Sequence, residues 1–99
     1  MITLNWINDN EGVATATVPM VEAGQRGVYK IFIIPRPPYC DRGSYHVIVD
    51  WTAGYGLDGE EGFPRYYFEL ETAKREMELW VNKRATCLEA VNNMPNKNL

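Results

Sequence analysis

Apolar and polar residues alternate in short stretches over the first two thirds of the chain. The last third repeats its apolar residues every three or four positions, which predicts a set of strands followed by one helix. Ile2-Thr3-Leu4-Asn5-Trp6 reads as a half-buried strand, and Asn8-Asp9-Asn10-Glu11-Gly12 supplies the turn residues of a first hairpin. Its return arm runs from Val13 to Val18 and stops at Pro19. Gln25-Arg26-Gly27 closes the next connection. Val28-Tyr29-Lys30-Ile31-Phe32-Ile33-Ile34 then has the β-branched and aromatic density of a central strand, ended by Pro35-Arg36-Pro37-Pro38. Ser44 to Trp51 forms another strand, with Tyr45, Val47, Val49 and Trp51 opposed to His46, Ile48 and Asp50. Strands in this order suggest a meander.

The segment from Thr52 to Gly62 holds four of the eight glycines together with Asp58, Glu60 and Glu61, and reads as an exposed loop. A short fifth strand is expected over Arg65 to Phe68. The helix starts near Glu69 or Leu70 and aligns Leu70, Ala73, Met77, Trp80, Val81 and Leu88 on one face. Glu69 and Glu71 suit the positive end of its dipole, Lys83 and Arg84 lie toward the other end, and Glu71 can pair with Lys74 and Arg75. Pro95 bounds the helix. The fold expected is therefore α+β: a four- to five-stranded antiparallel sheet with one C-terminal amphipathic helix packed on one face. A single domain over residues 1–91 is followed by a polar tail, 92–99.

Composition narrows the function more than it identifies it. A 99-residue chain with 45% hydrophobic residues supports one core, and leaves little material for a deep enclosed site beside it. This tilts the expectation toward binding without catalysis, and no catalytic, cofactor or metal residues are assigned. A net charge of −3 and a pI near 5.1 disfavour general nucleic-acid binding, although Arg26, Lys30, Arg36, Arg42 and Arg65 could form a local basic stripe. No apolar run approaches the ~20 residues of a bilayer span, and no signal segment opens the chain, so a cytoplasmic protein is expected. Cys40 and Cys87 lack the spacing of a zinc site and are expected as thiols, with a disulfide between them left open.

The candidate binding residues cluster around the acidic loop. Asp58, Glu60 and Glu61 carry charge that no Lys or Arg offsets between Asp50 and Gly62, so they could meet a basic partner. Trp51, Tyr55, Arg65 and Tyr66 surround them, and aromatic residues and arginine are the residue types enriched at interface hot spots. Tyr66 and Tyr67 cannot both face the core. Calcium binding lacks the ordered acidic spacing it needs. Gly54-x-Gly56-x-x-Gly59 matches a dinucleotide pattern in letters only, because no helix opens there. Pro35-Arg36-Pro37-Pro38-Tyr39 could serve as a polyproline ligand, and Cys40 with His46 supplies the residue types of a thiol nucleophile with no reason for the two to meet.

The stretch Gly62-Phe63-Pro64-Arg65-Tyr66-Tyr67-Phe68-Glu69-Leu70-Glu71-Thr72-Ala73-Lys74-Arg75-Glu76-Met77-Glu78-Leu79-Trp80 resembles the ends of small phage and prophage proteins, in which a strand ending in an aromatic leads into an L-E-x-A-K helix. Some such proteins, anti-CRISPR proteins among them, inhibit host defence by occupying a protein surface. The resemblance implies a non-enzymatic accessory protein acting in the host cytoplasm on a host protein, with basic nucleic-acid-handling proteins as the first candidates. It assigns no functional residue. The alternative is a small RNA- or DNA-binding module that uses the basic stripe, and an exposed edge strand leaves a homodimer open.

Overall fold

The computed structural model describes residues 1–22, 24–37, 41–51 and 62–92; the side chains of Glu22, Gln25 and residues 86–92 fall outside that description. Five strands are followed by one helix: β1 (Ile7–Asn8), β2 (Ala14–Glu22), β3 (Gln25–Pro35), β4 (Tyr45–Trp51), β5 (Arg65–Tyr67) and α1 (Leu70–Asn92). The strands form one antiparallel sheet in sequence order. This is the α+β meander expected from the residue pattern, and α1 packs across one face of it.

Side-chain alternation sorts each strand cleanly. Ala14, Ala16 and Val18 of β2, Tyr29, Ile31 and Ile33 of β3, and Val47 and Val49 of β4 are buried beneath Ala73, Met77 and Val81 of α1. The small alanines of β2 let the helix approach, while the β-branched residues of β3 and β4 fill the layer between. Phe63 and Trp80 close one side, their rings meeting edge to face at 5.2 Å. Tyr29 is the buried hub, in ring contact with Trp51 at 4.9 Å and Trp80 at 5.5 Å. Its phenol oxygen accepts a 2.6 Å hydrogen bond from Arg84 Nε, so that cation reaches inward from α1.

Four boundaries differ from the expected ones, each for a local reason. Residues Ile2–Trp6 form no strand. The amide of Asn82 on α1 replaces the ladder there: its Oδ1 accepts from the Ile2 N–H at 2.7 Å, and its Nδ2 donates to the Ile2 carbonyl at 2.8 Å. β1 begins only at Ile7, where the turn tightens around Asp9, whose Oδ1 accepts from the Glu11 and Val13 amides. β2 continues through Pro19 to Glu22, because β1 pairs only as far as Thr15 and a proline on an open edge forfeits no ladder bond. Gln25-Arg26-Gly27 belongs to β3, with the turn at Gly24 instead. Gly27 is required there: a Cβ would lie 2.5 Å from the Trp51 ring.

The helix begins as expected, with the Glu69 carbonyl accepting from the Ala73 amide at 3.1 Å. Lys74 and Glu71 form an exposed pair at 3.8 Å, a contact of little energetic weight. Leu70 and Trp80 pack at the margin of the core, and the Leu88 side chain lies outside the described residues. Among the described residues no helix is long and apolar enough to cross a membrane.

Candidate interaction surface

One helix can cover only one face of a five-stranded sheet. Among the described residues no element packs on the other, and that face is not polar. Register places Ile7, Thr15, Phe32 and Ile48 in one row across it, and Ile34, His46 and Tyr66 in the next. A third row holds Thr17, Lys30 and Asp50. Phe32, Ile34, His46, Ile48 and Tyr66 are half-buried, while Ile7 is 74% exposed at the edge.

Arginines border this apolar ground. The chain leaves β3 at Pro35, and the Arg36 amide donates to the Ser44 carbonyl at 2.7 Å, holding this end of the chain beside β4. The Arg36 guanidinium lies over the Tyr66 ring at 4.6 Å, and that of Arg42 approaches the same ring at 5.9 Å. His46, opposite Tyr66 in register, has its ring 6.4 Å away. Partial burial and then the Arg36 charge hold the His46 pKa below its ordinary value, so at neutral pH the imidazole adds no charge to the corner.

The residues singled out from sequence divide between the two faces. Tyr66 lies on the open face and Tyr67 packs on the core, so one tyrosine of the pair is outside as alternation requires. Arg65 does not join Tyr66. It lies opposite Val47 on the helix side, stacks over Phe63 at 4.5 Å and donates from Nε to the Gly62 carbonyl at 3.2 Å. Trp51 is likewise a packing residue, seated on Tyr29 and over Gly27. Tyr55, Asp58, Glu60 and Glu61 lie outside the described residues, as do the glycines of the dinucleotide-like pattern, the remainder of the proline motif after Pro37, and Cys40. Of the basic stripe, Arg26 and Lys30 alternate with Val28 and Phe32 on the outer face of β3, Arg36 and Arg42 gather at Tyr66, and Arg65 is on the opposite face.

The helix side carries a cleft of about 300 Å³ lined by Arg65, Trp80, Lys83 and Arg84. Its arginines are already engaged, Arg84 by the Tyr29 hydroxyl and the Trp80 ring and Arg65 by Phe63 and Gly62. Among the described residues no three His, Cys, Asp or Glu side chains gather as metal ligands would.

Sequence reasoning overlooked Phe32, Ile34 and Ile48 as surface residues. The signal was present in Ile31-Phe32-Ile33-Ile34, an unbroken apolar run that must be apolar on both faces of its strand when only one helix follows. Comparison with protein-family models, curated proteins and solved structures finds no match.

Proposed function

We propose that the chain is a non-enzymatic interaction module that binds another protein through the open face of its sheet. The observation that carries this reading is the cluster of Phe32, Ile34 and Ile48, which no described element covers, bordered at Tyr66 by Arg36 and Arg42. An apolar centre with aromatic and arginine residues at its margin is the composition of protein interfaces, and contiguous apolar patches, unlike scattered apolar residues, mark interaction sites. Four strands at about 4.8 Å spacing and seven residues in length span on the order of 450 Å², below the roughly 800 Å² per side of a stable complex. A homodimer held by this face alone is therefore disfavoured, and a heterologous partner bound in the micromolar range suits it better. The finer reading follows the phage resemblance, which covers mainly residues 62 to 84: an accessory protein that occupies a surface of a host protein, host defence proteins included.

A second reading, nucleic-acid binding, draws on Arg26, Lys30 and Arg36 along the outer side of β3. Capture from host lysate with and without nuclease separates the two. The protein-binding reading expects a nuclease-resistant partner that rebinds when purified and is lost with Ile48→Lys. Loss only in an Asp58→Lys, Glu60→Lys, Glu61→Lys variant would move the interface to the acidic loop, and a nuclease-sensitive catch would favour the nucleic-acid reading.

A further inference from the structure

We propose that the Arg36–Tyr66–Arg42 corner is an oxyanion site that receives a carboxylate from an acidic, otherwise apolar segment of the partner protein. This rests on the docking reading of the open face and names the chemistry at one end of it. Arg36 Nη1 is buried and has no hydrogen-bond acceptor among the described residues. Buried guanidinium donors are ordinarily satisfied, and the exposed Arg42 at the same ring offers further donors that a ligand can reach. Two like charges converge on one ring, 4.6 and 5.9 Å from its centre, and among the described residues no carboxylate lies within 4.0 Å of either. The Tyr66 ring gathers Arg36 beside the exposed Arg42, so an oxyanion that Arg42 binds also meets the Arg36 charge.

The neighbourhood selects the source of that oxyanion. Ile34 shares a row with His46 and Tyr66, and Phe32 and Ile48 fill the next, so whatever flanks the anion meets aliphatic and aromatic surface. The next cation on the outer side of β3, Lys30, is six residues from Arg36, about 20 Å along the strand, too far to meet the neighbouring phosphates of one nucleic-acid strand. Lys30 also has Asp50 opposite it in register. An extended peptide with apolar residues at alternate positions and a carboxylate at the end of that same face suits this surface, since its apolar side chains can settle on Ile34 and Ile48 while the carboxylate reaches the arginine corner.

Three fluorescein-labelled probes test the site by polarisation: an amidated heptapeptide with Leu, Phe, Leu and a terminal Glu on one face and Ser between them, the same peptide with Gln for Glu, and a twelve-residue oligo(dT). Saturable binding of the acidic peptide is expected, with the Gln peptide weaker by about tenfold or more. Arg36→Gln and the exposed Arg42→Gln should each weaken the acidic peptide by a similar factor, and Arg36→Lys should recover only part of it. The His46 C2–H resonance should shift in proportion to bound acidic peptide, as its ring lies beside Tyr66. Circular dichroism establishes that each variant is folded, and Arg42→Gln keeps the test valid should Arg36→Gln unfold. Equal binding of the Gln peptide, unchanged binding by both arginine variants, preference for oligo(dT), or no saturable peptide binding would overturn the proposal. Binding lost in Ile48→Lys but kept in both arginine variants would overturn the oxyanion site while leaving the docking face standing; indifference to all three would overturn both.

Discussion

Replacing Asn82 by Ala removes the clamp that ties the first residues to the helix. The amide makes two bonds to the backbone of Ile2, at 2.7 and 2.8 Å, and a third to the Glu78 carbonyl at 2.8 Å. The third weighs little, because a helix-interior carbonyl already has its own i+4 partner. The two bonds to Ile2 contribute about 1 kcal/mol each as a net value, and partial exposure lets water recover some of that, so a loss of about 1–2 kcal/mol is expected. For a domain of this size the change amounts to a lowering of Tm by roughly 5–15 °C. Urea unfolding followed by tryptophan fluorescence measures the midpoint. Amide hydrogen exchange supplies the local readout: protection at Ile2 should vanish while that of Ile31 and Val49 in the sheet falls only by the global change. A midpoint unchanged by Asn82→Ala, or an Ile2 amide already unprotected in the wild type, would refute the clamp.

Other substitutions probe separate links. Gly43 has φ +143° and its missing Cβ would lie 2.6 Å from the Tyr67 carbonyl oxygen, so Gly43→Ala should cost about 2–4 kcal/mol in chemical denaturation. A double-mutant cycle on Tyr29→Phe and Arg84→Met should show a coupling of about 1–2 kcal/mol, as a charged donor on a buried phenol requires; zero coupling would contradict the 2.6 Å bond. The folded His46 pKa is lowered, first by burial and then by Arg36, so its neutral form is favoured by folding. That contribution is complete above the unfolded value of 6.5 and is lost as pH falls through the folded value. Wild type should therefore lose more stability than His46→Gln between about pH 7.5 and about pH 5, and parallel pH profiles would contradict the assignment.

The chain's residue pattern was enough to place an antiparallel sheet and the buried stripe of α1, though not to settle the strand order, because alternation in Tyr45–Trp51 and the spacing of Ala73, Met77 and Val81 are local signals. What it could not show depends on partners distant in sequence. Ile2–Trp6 alternates like a strand, yet a single side chain 80 residues away takes the hydrogen bonds of Ile2. Pro19 looks like a stop until β2 is seen to have an open edge beyond Thr15. The site was harder for the same reason. Arg65 and Tyr66 are adjacent in sequence and on opposite faces in space, whereas Arg36 and Tyr66 are thirty positions apart and stacked. The apolar face itself was legible, in a strand too hydrophobic for a sheet with one helix.

Methyl resonances of the isoleucines offer the most direct measurement of the central claim, because β3 carries two on its buried face and one on its open face. Ile31 and Ile33 are buried under α1, while Ile34, together with Ile48 on β4 and Ile7 on β1, lies on the open side. With a partner protein captured and purified, isotope-labelled chain should show the Ile7, Ile34 and Ile48 methyls shifting or broadening in proportion to partner, with Ile31 and Ile33 unmoved. Shifts confined to residues away from the open face, with Ile34 and Ile48 unaffected at saturation, would contradict the account.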